Sequence, residues 1–220
     1  MRKVLIGTPC HDGRTEVWYN NSLRLTERAA AANNIETTPV YMAYDSLVQR
    51  ARNDLVALAL EGGFDDLFFI DADMRWEPEW ALSIMSHDVD VVGAAYRKKT
   101  DDKEIYTVKA SQPIPVDMKS GLWIVQGIGT GFLRLSRRAL YALWDSSEEY
   151  RNEGKTCRWI FDVCPVNGDL MGEDMIACEK LSRLGFPIML DSSFTPTHIG
   201  VKQYVGDFAR YVETLNKAAA

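Results

Sequence analysis

The chain has 220 residues, of which 46% are hydrophobic and 25% charged, and its formal net charge is −6. This length suffices for a complete α/β core, and the negative charge disfavours a broad nucleic-acid-binding surface. No apolar run approaches the roughly 20 residues that span a bilayer, and the run after Arg2-Lys3 is too short for a secretory signal peptide, which predicts a cytoplasmic protein.

The first hundred residues alternate between strand and helix patterns. Short apolar runs predict strands covered on both faces, and apolar residues three and four positions apart predict helices. In chain order we expect a strand at 4–7, a helix at 16–32, a helix from 47 to the glycines at 62–63, a strand at 67–70, a helix that begins at Glu77-Pro78, and a strand at 89–95. This β-α-α-β-α-β order is typical of a Rossmann-like sheet.

The second half has shorter elements in a turn-rich sequence. They are strands at 105–109, 122–125 and 131–135, helices at 137–144 and 173–184, and a strand at 188–190. Because no linker separates the halves, we predict a single domain over residues 1–220, in which a nucleotide-binding half (1–100) and a mixed half (101–220) share one sheet.

Two carboxylates, Asp71 and Asp73, directly follow the predicted strand at 67–70. If this segment stays extended, both side chains lie on one side, at the sheet edge where α/β proteins bind ligands. A divalent cation such as Mg²⁺ or Mn²⁺ would relieve their repulsion and share its oxygen ligands with phosphates. Two other interpretations stay open: the aspartates cap the turn before Pro78, or the first is the nucleophile of a dehalogenase-type phosphatase.

Other charged residues stand out by their position. Arg52 lies in a predicted helix among apolar neighbours and can pair with Asp71 through its planar guanidinium. Glu173 and Asp174 begin a predicted helix, where acids interact favourably with the helix dipole, but two adjacent acids exceed what a helix cap needs. The basic run at 97–99 is either a contact for a diphosphate or an anionic acceptor, or simply solvated.

The chain resembles the GT-A-fold glycosyltransferases, in particular small enzymes of bacteriophages and large DNA viruses and their bacterial relatives. Six segments carry this resemblance and follow the order of the family over nearly the whole chain. They are "LIGTPC" (5–10), "RARNDLV" (50–56), "FFIDADMRWEP" (68–78), "GIGTGFLRLSRRAL" (127–140), "GEDMIACEKLSRLGF" (172–186) and "THIG" (197–200).

The resemblance implies an α/β fold of GT-A type, a Rossmann-like central mixed sheet with helices on both faces, and it makes 101–220 the acceptor-binding half. It implies that the metal, Mn²⁺ or Mg²⁺, binds Asp73 and His198, with Asp71 at the metal or the ribose. It makes Asp174, or else Glu173, the catalytic base. The implied contacts of the nucleotide and donor sugar are Thr8, Pro9, Cys10, Arg52, Asn53, Asp71, Ala72, Asp73, Gly129, Thr130 and Lys202.

The function that follows is metal-dependent transfer of a hexose from a nucleotide sugar, such as UDP-glucose, to a hydroxyl of a glycan, a protein or a modified DNA base. A viral enzyme of this kind would work in the host cytoplasm. Two alternatives stay open: a nucleotidyltransferase of similar fold, although its glycine-rich loop is absent after the first strand, and a non-catalytic nucleotide-sugar-binding protein. Inversion or retention at the anomeric carbon is not decided by the sequence.

Overall fold

The computed structural model describes residues 1–101, 103–152 and 154–218. The helices are α1 (Val17–Ala32), α2 (Val48–Glu61), α3 (Pro78–Ser86), α4 (Arg137–Ser146), α5 (Glu173–Arg183) and α6 (Phe208–Ala218). The strands are β1 (Arg2–Cys10), β2 (Ile35–Ala43), β3 (Asp66–Ile70), β4 (Met74–Arg75), β5 (Val91–Gly93), β6 (Val108–Lys109), β7 (Trp123–Val125), β8 (Gly127–Ile128), β9 (Phe132–Ser136), β10 (Glu149–Asn152), β11 (Lys155–Arg158), β12 (Cys164–Val166), β13 (Asp169–Met171), β14 (Ile188–Leu190), β15 (Thr197–Ile199) and β16 (Gln203–Tyr204).

The central sheet has seven strands in the order β2-β1-β3-β9-β5-β14-β7. Strands β1, β2 and β3 pair in parallel, β9 pairs antiparallel with both β3 and β5, and β14 is parallel to β5. Five strands therefore run in one direction, and the carboxyl ends of β1, β2, β3, β5 and β14 meet at one edge. Strands from both halves of the chain share this sheet, as the sequence predicts.

Each face of the sheet buries its own hydrophobic core. Successive strand residues point to opposite faces, so Leu5 and Phe69 pack against helices α2, α4 and α5, whereas Ile6 and Phe68 pack against α1 and α3. All four side chains are at most 1% exposed, and each such burial contributes about 1.5–3 kcal/mol. The predicted α/β class, a central mixed sheet with helices on both faces, is confirmed.

A buried ion pair fixes β3 at the edge opposite the strand carboxyl ends. Arg134 of β9 is 0% exposed and donates to Asp66 at 2.7 Å. Its guanidinium also donates to the backbone carbonyls of Ile84, His87 and Val89, which satisfies acceptors at the end of α3. Arg134 thus joins strands β3 and β9 to the C-terminal end of helix α3.

The predicted order of two consecutive helices is wrong, because β2 lies between them and pairs with β1 along its whole length. Strand β2 is an edge strand with many half-exposed side chains, which is also why it tolerates Pro39. The C-terminal helix α6 is a further element that the sequence reasoning did not predict. Among the residues described, none of the helices combines the length and apolar character needed to cross a membrane.

Candidate functional site

A cleft of about 870 Å³ opens at the carboxyl edge of the parallel strands. Its walls come from the loops after β1, β2 and β3, from the first turns of α2, and from single residues after β5 and β15. The lining residues are 9–12 and 14–16, 42, 45–49, 51–52, 71–73, 99 and 199–200. Open α/β sheets bind their ligands at this edge.

Backbone hydrogen bonds hold the cleft loops together. The Cys10 carbonyl accepts from Gly13 N at 3.0 Å and from Tyr44 N at 3.2 Å, which ties the loop after β1 to the loop after β2. Glu16 N donates to the Ala72 carbonyl at 3.0 Å, which ties the first loop to the segment after β3. Both Gly13 and Tyr44 have positive φ angles, 71° and 62°, a conformation that is uncommon for a tyrosine.

Arg52 joins Asp71, which lines the cleft, to Glu173, which lies outside the cleft lining. This residue is 3% exposed, and its guanidinium lies 3.1 Å from Asp71 Oδ1 and 3.6 Å from Glu173 Oε1. Burial lowers the pKa of Arg52, but Asp71 and Glu173 outweigh burial and raise it above its ordinary value. The predicted pairing of Arg52 with Asp71 is confirmed, and it connects α2 and the end of β3 to the first turn of α5.

Asp73 and His198 come together because β15 pairs with the short strand β4. His198 lies opposite Met74 in this pairing, and Ile199 N donates to the Asp73 carbonyl at 2.8 Å. As a result, His198 Nε2 is 3.5 Å from Asp73 Oδ1. The other ring nitrogen, Nδ1, lies 3.1 Å from the Arg97 carbonyl, to which only a protonated Nδ1 can donate.

The Asp73 carboxylate has different surroundings at its two oxygens. Oδ2 accepts from Lys99 Nζ at 2.5 Å, whereas Oδ1 is buried and finds no hydrogen-bond partner among the residues described. Burial raises the pKa of Asp73, but His198 and Lys99 outweigh burial and hold it below its ordinary value. Asp73 is therefore charged near neutral pH, and its Oδ1 accepts no hydrogen bond from the residues described.

The structure does not bring the three predicted metal ligands into one group. The segment after β3 is a turn, in which Met74 N donates to the Asp71 carbonyl at 3.1 Å. The expectation that an extended segment places both aspartates on one side is therefore wrong: Asp71 contacts Arg52, and Asp73 contacts Lys99 and approaches His198. Within the described part of the chain, no group of three or more His, Cys, Asp or Glu residues is placed to hold a metal ion.

The glycines of "GIGTGF" allow close packing around a buried tyrosine. Tyr96 Oη accepts from Gly131 N at 2.9 Å. A Cβ at Gly131 would lie 2.6 Å from Tyr96 Oη and 2.9 Å from Asp71 Oδ2, and a Cβ at Gly129 would lie 2.5 Å from Tyr96 Oη. Residues with side chains therefore do not fit beside Tyr96 without displacing it or Asp71.

Asp174 is a partly buried acid in the first turn of α5. Burial, followed by the nearby charge of Glu173, raises the pKa of Asp174 above its ordinary value. Its Oδ1 accepts from Met175 N at 2.7 Å. The two acids thus differ, because Glu173 pairs with Arg52 while Asp174 does not.

Six of the predicted donor-binding residues line the cleft, namely Pro9, Cys10, Arg52, Asp71, Ala72 and Asp73. The other five, Thr8, Asn53, Gly129, Thr130 and Lys202, lie outside its lining. Asn53 is 0% exposed, and its Oδ1 accepts from Ile160 N and Phe161 N. The Thr8 hydroxyl bonds to the Tyr19 hydroxyl, and Lys202 pairs with Asp101 at 2.5 Å. The donor-binding roles of all five residues stay predictions. The side chains of Thr8, Asn53 and Lys202 contact other residues of the protein in the structure.

Sequence reasoning missed much of the cleft wall. The polar loop "HDGRTE" at 11–16 contributes five lining residues, and 45–49 contributes five more. The position of the first loop after the predicted strand at 4–7 was the signal that would have identified it. The second loop follows β2, which the sequence analysis did not predict. The prediction left open whether Lys99 contacts a ligand or is solvated; the structure places it on Asp73 and in the cleft.

Neither the protein-family models nor the curated protein sequences contain a match to this chain. Among solved structures, A197 from STIV is similar with a TM-score of 0.55 and 19% identity, over 91% of this chain and 86% of that one. A glycosyltransferase involved in the glycosylation of the major capsid of PBCV-1 matches with a TM-score of 0.35 and 11% identity, over 64% of this chain and 63% of that one. The inositol-1-phosphate CTP transferase from T. maritima matches with a TM-score of 0.43 and 10% identity, over 97% and 95%. The similarity to A197 shows a shared fold; two of these three structures are transferases.

Proposed function

We propose that this protein transfers a hexose from a nucleotide sugar, such as UDP-glucose, to a hydroxyl acceptor, with Mn²⁺ or Mg²⁺ bound at Asp73 and His198. The observation that carries the proposal is Asp73 Oδ1, which is buried in the wall of the cleft without a hydrogen bond from the residues described and lies 3.5 Å from His198 Nε2. The GT-A resemblance of six segments in the sequence supports the same reaction.

The residues present fit a divalent cation. In a neutral imidazole whose Nδ1 donates to the Arg97 carbonyl, Nε2 presents a lone pair toward Asp73 Oδ1. Two acceptors that face each other repel unless a cation or a proton lies between them. Mg²⁺ and Mn²⁺ accept such oxygen and imidazole ligands and take the rest of their shell from water and substrate phosphates. The chemistry that a bound cation supplies is Lewis-acid stabilisation of the departing diphosphate.

The cleft has a volume suited to a nucleotide sugar, and an arginine in its wall fixes two carboxylates. Its volume of about 870 Å³ lies within the range of about 300–1,000 Å³ found for small-molecule sites. Arg52 holds Asp71 and Glu173 in place from inside the protein, so these carboxylates keep a fixed orientation. Fixed polar groups hold donor and acceptor in the reactive geometry at little entropic cost.

Asp174 is the proposed base for an inverting transfer. As the acceptor oxygen attacks the anomeric carbon, its proton moves to the Asp174 carboxylate, and the sugar–phosphate bond breaks. The raised pKa of Asp174 makes this carboxylate a better proton acceptor than an ordinary aspartate, and positioned proton transfer contributes about 10²–10⁴-fold. Glu173 is less suited because Arg52 holds it in an ion pair.

The test is release of nucleoside diphosphate. Purified protein is incubated with UDP-glucose and other nucleotide sugars, with Mn²⁺ or with a chelator, and UDP is measured. We expect release that requires the metal, that Asp73→Ala abolishes, and that Asp88→Ala leaves intact, since Asp88 is an exposed carboxylate outside the cleft lining. Release that depends neither on metal nor on Asp73 would refute the proposal.

Two other outcomes would assign a different function. Release of pyrophosphate from a nucleoside triphosphate and a sugar phosphate would identify a nucleotidyltransferase. Donor binding without transfer to any acceptor, and without slow hydrolysis, would identify a binding protein.

A further inference from the structure

Lys99 forms an ion pair with the carboxylate of Asp73, which is also a proposed metal ligand. Its Nζ lies 2.5 Å from Asp73 Oδ2, and both side chains are 35% exposed. Lys99 also lines the cleft together with Asp71 and Asp73. The ammonium group is therefore a direct hydrogen-bond donor and counter-ion to the Asp73 carboxylate.

The backbone holds Lys99 in this position. Lys98 N donates to the Ile105 carbonyl at 2.7 Å, and Arg97 bridges to Tyr106. A Cβ at Gly200 would lie 3.1 Å from Lys99 Cδ, so the lysine stem packs directly on a residue that has no side chain. The same short segment presents the Arg97 carbonyl to His198 Nδ1. Arg97 thus contacts His198 and Lys99 contacts Asp73, the two proposed metal ligands.

We infer that Lys99 is an exchangeable counter-ion: it neutralises Asp73 when the site has no donor, and it moves to the donor diphosphate when a divalent cation takes its place on Asp73. This inference rests on the proposed function. Two cations that share one carboxylate repel each other, so the metal and the Lys99 ammonium compete for Asp73. A diphosphate, whose oxygens accept charge-assisted hydrogen bonds, provides the ammonium with a new partner in the same cleft.

Replacing Lys99 should change the affinities for Mn²⁺ and for UDP in opposite directions. Without the competing ammonium, Lys99→Met should bind Mn²⁺ about two- to fivefold more tightly, as expected for loss of a half-exposed ion pair. Without the phosphate contact, the same variant should bind UDP about tenfold more weakly at saturating Mn²⁺. A lysine that merely stabilised the loop would produce neither change.

The experiment measures binding, not turnover. Free Mn²⁺ is followed by electron paramagnetic resonance during titration of the wild type, Lys99→Met, Lys98→Met and Asp73→Asn, and UDP binding is then measured by calorimetry at saturating Mn²⁺. Lys98→Met is the matched control, because this neighbouring lysine is exposed and its side chain has no ion pair in the described structure. Lys99→Gln repeats the test with a polar side chain.

The expected result is tighter Mn²⁺ binding and weaker UDP binding for both Lys99 variants, and no change for Lys98→Met. Weaker UDP binding with unchanged Mn²⁺ affinity would overturn the exchange and leave Lys99 as a phosphate contact only. Mn²⁺ binding that Asp73→Asn does not reduce would refute the metal position and the inference with it. Opposite shifts in a protein without nucleotide-sugar turnover would refute the proposed function while supporting the exchange.

Discussion

Replacing Arg52 by methionine tests whether this arginine organises the acidic cleft. The variant leaves Asp71 and Glu173 without their shared cation, at distances that are now 3.1 and 3.6 Å. Breaking a buried ion pair by removing one partner costs about 3–5 kcal/mol. Because the Asp71 and Glu173 side chains are 25% and 19% exposed, water can solvate them in part, and we expect a loss of about 3 kcal/mol.

The free energy of unfolding is measured by urea denaturation, and variants are compared where the dependence of this free energy on urea concentration has the same slope. Arg50→Met is the matched control on the same helix, since Arg50 pairs with Asp45 but is more exposed, and its loss should be small. Arg52→Lys separates charge from geometry: the shorter, single-point cation cannot reach both acids as the guanidinium does, so it should restore only part of the stability. A loss for Arg52→Met no larger than for Arg50→Met would refute the assignment of Arg52 as a buried bridge.

The same variant has an expected pH signature. Burial and Glu173 raise the pKa of Asp174, and Arg52 is among the groups that lower it. Removing the cation should therefore raise the pKa of Asp174 further, so the acidic limb of the activity profile should move to higher pH. An unmoved limb would contradict the role of Asp174 as the base.

Three further predictions concern groups whose surroundings are specific. Arg134→Met leaves the buried Asp66 with Arg2 as a remaining cation but removes the donor of three backbone carbonyls, and it should cost about 3 kcal/mol by urea denaturation. Burial raises the pKa of Asp191, but the hydrogen bonds that its carboxylate accepts outweigh burial and lower it. The charged Asp191 therefore stabilises the fold above about pH 4, the pKa of an aspartate in the unfolded chain. The free energies of unfolding of the wild type and Asp191→Asn should converge as the pH falls below about 4. Asn53→Ala removes an acceptor from two buried N–H groups and should cost about 1–3 kcal/mol while UDP affinity stays unchanged; a selective loss of UDP affinity would instead place Asn53 at the donor.

The fold class follows from local patterns, whereas the edge elements do not. Buried strands such as β3 are continuous apolar runs, and their pattern identifies them without tertiary context. Strand β2 is an edge strand whose stability comes from pairing with β1, so its sequence is mixed and contains a proline. Helix α6 was predictable: Phe208, Tyr211, Val212 and Leu215 have helical spacing, and Phe208 and Val212 are buried.

The site was predictable where two residues form a simple charge pair, and less so where a turn decides the direction of a side chain. Arg52 among apolar neighbours indicated a buried partner, and Asp71 is that partner. The separation of Asp71 from Asp73 depends on the turn after β3, which an alternating pattern cannot reveal. The contact of Lys99 with Asp73 joins residues 26 positions apart and depends on how the segments after β3 and β5 meet, which no local pattern encodes.

The ionisable groups around Arg52 and Lys99 carry more negative than positive charge. Asp71, Asp73, Glu173 and Asp174 contribute four carboxylates; Arg52 contacts Asp71 and Glu173, and Lys99 contacts Asp73. The raised pKa of Asp174, caused first by burial and then by Glu173, is one consequence of this excess. A diphosphate adds further negative charge, so it cannot approach these acids favourably by itself. A divalent cation would balance this excess, and Lys99 would neutralise Asp73 whenever the cation is not bound. The proposed metal dependence and the proposed exchange of Lys99 thus rest on the same electrostatic condition.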